Sequence, residues 1–272
     1  DANKVKIGEA GGVDAVVKAM QTHLQHAGVQ EEGCGALWNL AVNNDAIEVK
    51  IGEAGGVDAV VKAMQTHLQH AGVQRRGCGA LWSLAGNDAN QVKIGEAGGV
   101  DAVVKAMQTH LQHAGVQEQG CGALMSLAGN DANQVKIGEA GGVDAVVKAM
   151  QTHLQHAGVQ KQGCTALMSL AANNDANKVK IGEAGGVDAV VKAMQTHLQH
   201  AGVQEQGCWA LWNLAANNDA IEVKIGEAGG VDAVVKAMQT HLQHAGVQKQ
   251  GFWALMNLAA NNDANKVKIG EA

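Results

Sequence analysis

The sequence is defined first by what it lacks: its 272 residues include no proline, no tyrosine and a single phenylalanine, Phe252. Basic residues are not in excess, because 26 Asp and Glu outnumber 20 Lys and Arg and give a net charge of −6. Without a basic field to hold phosphates, the composition disfavours nucleic acid as a partner. The apolar runs are only a few residues long, whereas a transmembrane helix needs about 20 apolar residues. We therefore expect no nucleic acid and no membrane among the partners.

The N-terminus shows no signal peptide, and we expect a soluble chain of the cytoplasmic type. The cysteines recur at one position of a repeated module: Cys34, Cys78, Cys121, Cys164 and Cys208. Packed helices lie about 8–10 Å apart, whereas a disulfide needs Cα atoms within roughly 7 Å. We predict buried thiols; a redox or metal function is the alternative, which the regular spacing does not support.

That module occurs six times. The segment Ile-Gly-Glu-Ala begins at Ile7, Ile51, Ile94, Ile137, Ile181, Ile225 and Ile269, a period of 43 or 44 residues that is typical of helical solenoids. We predict one domain over 1–272, with repeats at about 1–44, 45–87, 88–130, 131–174, 175–218 and 219–262 and a partial repeat at 263–272. The 24 residues from Ile7 are identical in all six copies, which favours an engineered consensus protein over a recent natural duplication.

Each repeat is predicted to contain three helices. In the first copy these cover 1–10, 13–26 and 29–42, separated by Gly11-Gly12 and by Ala27-Gly28, with Gly28 as the residue that ends the second helix. The third helix carries two stripes on opposite sides. The invariant one is predicted to face the core and consists of Gly33, Ala36, Leu37 and Leu40. The variable one is predicted to face a partner or solvent and consists of Gly35, Trp38, Asn39 and Val42.

These features resemble the armadillo repeat family along the whole chain: a short helix ending in Ala-Gly-Gly, an aliphatic second helix, and a third helix reading Ala-Leu-Trp-Asn-Leu-Ala from Ala36 to Ala41. The two-helix HEAT repeat is the alternative. The resemblance implies an all-α, right-handed α-solenoid of six three-helix repeats plus an extra C-terminal first helix. It also implies a concave groove, lined by the third helices, in which Asn side chains hold an extended peptide and Trp side chains form pockets.

Three variable positions carry this resemblance onto the chain. The Trp position holds Gly35, Gly79, Gly122, Thr165, Trp209 and Trp253, and the Asn position holds Asn39, Ser83, Ser126, Ser169, Asn213 and Asn257. The bulky position, one residue before the Asn position, holds Trp38, Trp82, Met125, Met168, Trp212 and Met256. The resulting peptide-groove candidates are Trp209, Asn213, Trp253 and Asn257, followed by Trp38, Asn39, Trp82 and Trp212. An alternative interpretation is that the bulky side chains merely pack on neighbouring repeats.

Charges at the start of the third helices also vary, from Glu31-Glu32 to Arg75-Arg76 in the next repeat. We expect such charges to pair between neighbouring repeats, with selection of a charged peptide as the alternative. The motif His-Leu-Gln-His, from His23 to His26, recurs in every copy. Two His ligands alone make a poor metal site, so we expect the motif to complete the end of the second helix and predict no metal and no cofactor.

No nucleophile elbow, P-loop or dinucleotide fingerprint is present, so the sequence favours a non-enzymatic protein. The leading hypothesis is an engineered scaffold whose groove binds an extended peptide or a helix of a partner protein. The second is a self-assembling solenoid without a dedicated ligand. Residues 1–10 and 263–272 are identical and no polar capping repeat is recognisable, which suggests head-to-tail association.

Overall fold

The computed structural model describes residues 2–260 and 262–271, and these residues form nineteen α-helices and no strand. The predicted all-α fold is confirmed, and the helices recur in triplets. The first helices are α1 (Ala2–Glu9), α4 (Asp45–Glu53), α7 (Asp88–Glu96), α10 (Asp131–Glu139), α13 (Asp175–Glu183), α16 (Asp219–Glu227) and α19 (Asp263–Glu271). The second helices are α2 (Gly12–Thr22), α5 (Gly56–Thr66), α8 (Gly99–Thr109), α11 (Gly142–Thr152), α14 (Gly186–Thr196) and α17 (Gly230–Thr240). The third helices are α3 (Ala27–Ala41), α6 (Ala71–Leu84), α9 (Ala114–Leu127), α12 (Ala157–Ala171), α15 (Ala201–Ala215) and α18 (Ala245–Ala260).

The helices fall into two compact units, Asp1–Ala145 (unit 1) and Val146–Ala272 (unit 2). In each unit, consecutive third helices pack against one another, as α3 does on α6 and α15 on α18. The prediction that residues 1–272 form one continuous solenoid domain stays a prediction.

The paired glycines break the chain between first and second helices, as predicted. Gly11 has a φ of 80°, in the left-handed region that favours glycine, and α2 begins at the next residue. Only Ala10 and Gly11 separate α1 from α2, and the left-handed glycine recurs at Gly55, Gly98, Gly141, Gly185 and Gly229.

The boundary between the second and third helices differs from the prediction. Helix α2 ends at Thr22 instead of His26, and Gly28 lies in the first turn of α3. The reason is that His26 caps α3: its Nδ1 accepts a hydrogen bond from the Val29 N–H at 3.2 Å. The predicted role of His26 at the end of the second helix is therefore wrong, because its side chain serves the start of the third.

The other histidine of the motif links neighbouring repeats. His67, the equivalent of His23, places its Nε2 2.7 Å from the Leu24 carbonyl oxygen of the preceding repeat, and His241 makes the same contact with Leu198 in unit 2. The end of each second helix is instead tied by a glutamine: Gln30 Nε2 donates to the carbonyls of Met20 and His23, both at 2.9 Å. These repeated ties fix the third helix against the second.

The core follows the invariant stripe of the third helix. Leu37 is fully buried and Leu40 nearly so, and Gly33 lets α3 approach the Met20 side chain so closely that a Cβ there would lie 2.5 Å from Met20 Cγ. All five cysteines are buried thiols, as predicted. Burial raises the pKa of Cys34, Cys78, Cys164 and Cys208 to about 12, which leaves these thiols protonated and unreactive at neutral pH.

Candidate binding surface on the third helices

The variable stripe forms one side of the third helices, and we call the Trp, bulky and Asn positions together the helix-3 face. Asn39 on this face is exposed and Trp38 is half-buried, although Gly35 is buried. On the invariant stripe opposite, Gly33, Leu37 and Leu40 are buried, whereas Ala36 is half-buried. Unit 1 contains the candidates Trp38, Asn39 and Trp82, and unit 2 contains Trp209, Trp212, Asn213, Trp253 and Asn257. The predicted separation of a core stripe from an outward stripe therefore holds for most of α3, with Gly35 and Ala36 as the exceptions.

In unit 1 each bulky tryptophan lies on the next repeat. The Trp38 indole covers Gly79 so closely that a Cβ on Gly79 would be 2.7 Å from Trp38 Cδ2, and Trp82 covers Gly122 with an equivalent separation of 2.5 Å. Glycine at the Trp position thus provides the space for the indole of the preceding repeat. Trp38 and Trp82 therefore pack on the next repeat and also form part of the surface of the helix-3 face.

In unit 2 the same two positions bring two indoles together. Trp212 and Trp253 have ring centroids 5.1 Å apart and an interplanar angle of 39°. Lys249 Nζ lies 4.7 Å from the Trp253 ring centroid, within the range of a cation–π contact. Asn257 Nδ2 donates to the Trp212 carbonyl at 3.3 Å. Asn257, which was predicted to bind a peptide, therefore contacts the backbone of the preceding repeat.

The remaining candidates of unit 2 are less exposed. Trp209 and Asn213 are half-buried, and no hydrogen-bond partner for the buried Trp209 Nε1 lies within the described part of the chain. Trp253 is 36% exposed and the neighbouring Met256 is 69% exposed. The last repeat therefore offers most of the accessible apolar surface on this face of unit 2.

Charges between the first two repeats pair as the sequence indicated. Arg76 Nε lies 3.2 Å from Glu31 Oε1, and Arg76 Nη1 lies 2.6 Å from Glu32 Oε2. The guanidinium also covers Gly35, where a Cβ would be 2.6 Å from Arg76 Nη1. Because Glu32 is largely exposed, we expect its ion pair with Arg76 to contribute only about 0–1 kcal/mol to the free energy of unfolding. The main effect of the Arg76 side chain is to fill the space above Gly35, the Trp position of the first repeat.

The helix-3 face of unit 1 also contains a cavity of about 350 Å3. It is lined by Trp38, Val42, Asn43, Glu48, Trp82, Ser83, Gly86 and Ser126. Glu48, on α4, is only 7% exposed. Burial and, to a smaller extent, the neighbouring Asp45 carboxylate raise the pKa of the Glu48 carboxyl above its ordinary value. Glu48 was not among the residues predicted from the sequence, although the sequence contains a signal for it: Glu48 stands where Lys4 stands in the first repeat.

Across 2–260 and 262–271, no three His, Cys, Asp or Glu side chains are grouped so that they could hold a metal ion. Over the same ranges, no helix has the length and apolar character needed to span a membrane.

Comparison with known families decides the relationship of the chain. A family model described as LRRK2 ARM repeat matches residues 13–231, which is more than half of the sequence. The chain belongs to the armadillo repeat family. Among curated protein sequences, none matches it.

Several solved structures are similar to this armadillo chain. An engineered protein of the Northeast Structural Genomics Consortium is 31% identical with a TM-score of 0.85, and the match covers 98% of this chain and 63% of that one. A second engineered protein of the same consortium is 29% identical with a TM-score of 0.79, covering 91% and 96%. A designed armadillo repeat protein in complex with the peptide (KR)4 is 24% identical with a TM-score of 0.75, covering 90% and 99%. These similarities to engineered proteins agree with the interpretation drawn from the identical repeats.

Proposed function

We propose that this armadillo chain is a non-enzymatic binding scaffold whose helix-3 face forms a groove for an extended peptide. The observation that carries the proposal is the aromatic surface of unit 2, where Trp212 and Trp253 lie 5.1 Å apart beside two asparagines. An Asn amide donates and accepts at once, so it can pair with both backbone groups of a bound strand. Indole faces cover aliphatic stems and attract cations.

The similar designed protein that is in complex with the peptide (KR)4 supports a peptide as the ligand class. The net charge of −6 is compatible with a basic peptide. We place the principal contacts at Asn213 and Trp253, because Asn257 already donates to the Trp212 carbonyl and a peptide would have to displace that bond. In unit 1 the serines at Ser83 and Ser126 are too short to replace an Asn bridge, so a peptide there would be held by Trp38, Asn39 and Trp82.

Calorimetric titration with the (KR)4 peptide and with an uncharged extended peptide of equal length tests the proposal. We expect Trp253→Ala or Asn213→Ala to weaken binding of the better peptide at least tenfold, because an aromatic or bridging contact at an interface contributes about 1–2 kcal/mol or more. Gln239→Ala, at an exposed position of α17, is the control and is expected to change nothing. Failure of both peptides to bind, or binding that is insensitive to Trp253 and Asn213, would contradict the proposal.

Self-assembly is a second candidate function, and a specific observation favours it. The outer side of the first repeat has an apolar cleft of about 400 Å3, lined by residues that include Val16, Ala19 and Ala36. Their equivalents in the second repeat, Val60, Ala63 and Ala80, are fully buried. The cleft is thus half of a repeat-to-repeat interface, and in the last repeat Phe252 and Leu242 are 57% and 70% exposed.

Light scattering after size exclusion, over a hundredfold range of concentration, distinguishes the two functions. A mass that rises with concentration, and falls again when 263–272 are removed, would favour self-assembly. A constant mass near 28.0 kDa would leave the peptide groove as the function to test.

A further inference from the structure

Helices α1 and α19 share one sequence, because residues 1–10 and 263–272 are identical. A first helix inside unit 1 packs on both sides, as α4 does on α1 and α2 before it and on α5 and α7 after it. Among the described residues, α1 packs only on helices that follow it, and α19 packs only on helices that precede it. Each of these two helices therefore has the half of a first-helix environment that the other lacks.

Helix α1 is held from the following side. The Ile7 side chain lies over Gly12, where a Cβ would be 2.5 Å from Ile7 Cγ2, and Lys4 Nζ donates to the Val42 carbonyl at 2.6 Å. These contacts leave α1 poorly buried. Ile7 is 47% exposed, whereas the equivalent isoleucines of α4, α7, α10, α13 and α16 are fully buried.

Helix α19 is held from the preceding side. Asn265, which is 2% exposed, donates through Nδ2 to the Glu222 carbonyl at 3.4 Å. Lys268 Nζ donates to the Gly226 carbonyl at 2.7 Å. In α1 the residue equivalent to Asn265 is Asn3, which is exposed, because no first helix of the described chain precedes it.

The following side of α19 is open. Ile47 Cδ1 lies 2.5 Å from the point where a Cβ on Gly8 would stand, but no neighbouring group of the described chain lies within 4 Å of that point on Gly270, the equivalent glycine of α19. Lys266, the equivalent of Lys4, pairs with Asp263 of its own helix at 2.8 Å instead of donating to the end of a third helix. The unused side of α19 thus has the residues that α2, α3 and α4 accept from α1.

We propose that two copies of the chain associate by segment exchange, in which α19 of one copy takes the place of α1 on α2 and α4 of the other. Ile269 then lies over Gly12 of the receiving copy, and Lys266 donates to its Val42 carbonyl. The displaced α1 pivots at Gly11, where the backbone freedom of glycine permits the change of direction. The proposal deepens self-assembly, the second candidate function, and rests on it.

The exchange is favoured because identical sequences provide identical contacts on the receiving copy. Helix α19 keeps its hydrogen bonds to the Glu222 and Gly226 carbonyls and gains the contacts of α1, so it is packed on both sides, as α4 is. The same movement brings the exposed Phe252 and Leu242 of one copy towards the apolar cleft of the other. The equivalent surface of the second repeat is covered by the first repeat in the same way.

One substitution, made at either end, distinguishes exchange from simple stacking of the end faces. Ile7→Ala weakens the helix that must leave, so we expect it to lower the Kd of association by roughly threefold or more. Loss of α1 altogether would act in the same direction. Ile269→Ala weakens the helix that must bind, so we expect it to raise the same Kd by roughly tenfold. Sedimentation velocity over a wide range of concentration measures Kd, and circular dichroism shows whether each variant is folded.

Val5→Ala and Val267→Ala are the matched controls, because they shorten a side chain that is 39% and 58% exposed on the same two helices. The position stays exposed in a first helix that is packed on both sides, since Val49 of α4 is 40% exposed. We therefore expect both valine variants to leave Kd unchanged.

The outcomes separate the exchange from the functions proposed above. If the chain associates but Ile7→Ala and Ile269→Ala change Kd in the same direction, or not at all, the exchange is wrong and self-assembly through stacked end faces stands. A mass that remains at 28.0 kDa at every concentration, for the parent and for Ile7→Ala, would contradict the exchange and self-assembly together. Neither result affects the peptide groove, which is tested by titration with (KR)4.

Discussion

At the scale of single residues, the glycines at the Trp position have a different role in the structure from the one predicted from the sequence. The absence of Trp at Gly79 and Gly122 indicates a groove that has lost its pockets. In the structure, however, the indoles of Trp38 and Trp82 occupy the space above these glycines. The pairing was present in the sequence, because a glycine follows Trp38 after 41 residues and Trp82 after 40. It was not recognised because only the stacking of two repeats brings these positions together.

Gly79→Ala is a direct test of this packing. Alanine in the middle of a helix is normally more stable than glycine by about 1 kcal/mol. At Gly79 the new Cβ would lie 2.7 Å from the rigid indole of Trp38, so we expect the free energy of unfolding to fall instead, by about 1–3 kcal/mol. Chemical denaturation followed by circular dichroism measures the change.

Gly35→Ala is the control for that substitution, because the atom nearest to its new Cβ is the flexible end of Arg76. We expect this variant to be neutral or more stable than the parent. The double variant Trp38→Leu with Gly79→Ala should recover most of the loss, since a leucine can move away from the new methyl group. Equal effects of Gly35→Ala and Gly79→Ala would show that the indole does not rest on the glycine.

At the scale of helices, the sequence predicted the existence and order of all three elements, and one boundary was wrong. The helix break at Gly11-Gly12 was predicted correctly, because a glycine pair interrupts a helix without the help of tertiary contacts. The end of α2 was predicted from Ala27-Gly28, but the chain turns earlier, at His23. A histidine is an uncommon N-cap, and the residue types that ordinarily mark a helix start are Ser, Thr, Asp and Asn. The cap at His26 was therefore not recognisable from its residue type.

Substitution at His113 measures the strength of this cap within an interior repeat. Its Nδ1 accepts from the Val116 N–H at 3.2 Å. We expect His113→Ala to reduce the free energy of unfolding by about 0.5–2 kcal/mol, because the Val116 N–H loses its side-chain acceptor and keeps only the His113 carbonyl at 2.9 Å. His113→Asp should restore most of the loss. Thermal denaturation of both variants is the measurement. An aspartate variant no more stable than the alanine variant would mean that the ring stabilises the turn by packing and not by the hydrogen bond.

At the scale of the whole molecule, the period of 43 or 44 residues predicted the architecture, because near-identical copies that each leave an apolar face open can be stable only when stacked. The cavity beside Glu48 could not be predicted in this way. It depends on one departure from the repeat, Glu48 in place of Lys4, and forms only where α3, α4, α6 and α9 come together. The repeat pattern reports what the copies share, whereas the candidate sites lie where they differ.

Removing single repeats tests whether these differences set the order of the repeats in one continuous solenoid. Deleting 131–174 would make Met125 the bulky neighbour of Trp209, which is the combination that Met168 and Trp209 already form in the parent sequence. Deleting 88–130 would instead set Trp82 against Thr165, a side chain larger than the glycine on which that indole rests.

If the bulky and Trp positions must match, the first deletion should unfold in one cooperative transition with a Tm close to that of the parent. The second should melt several degrees lower, since 1 kcal/mol shifts Tm by roughly 2–4 °C in a chain of this size. Replacing Thr165 by Gly in the second deletion restores the space for the Trp82 indole and should raise the Tm back towards that of the parent. Equal melting of the two deletions, with no gain from Thr165→Gly, would mean that any repeat can follow any other, and that the Trp–Gly pairing exists for the ligand surface alone.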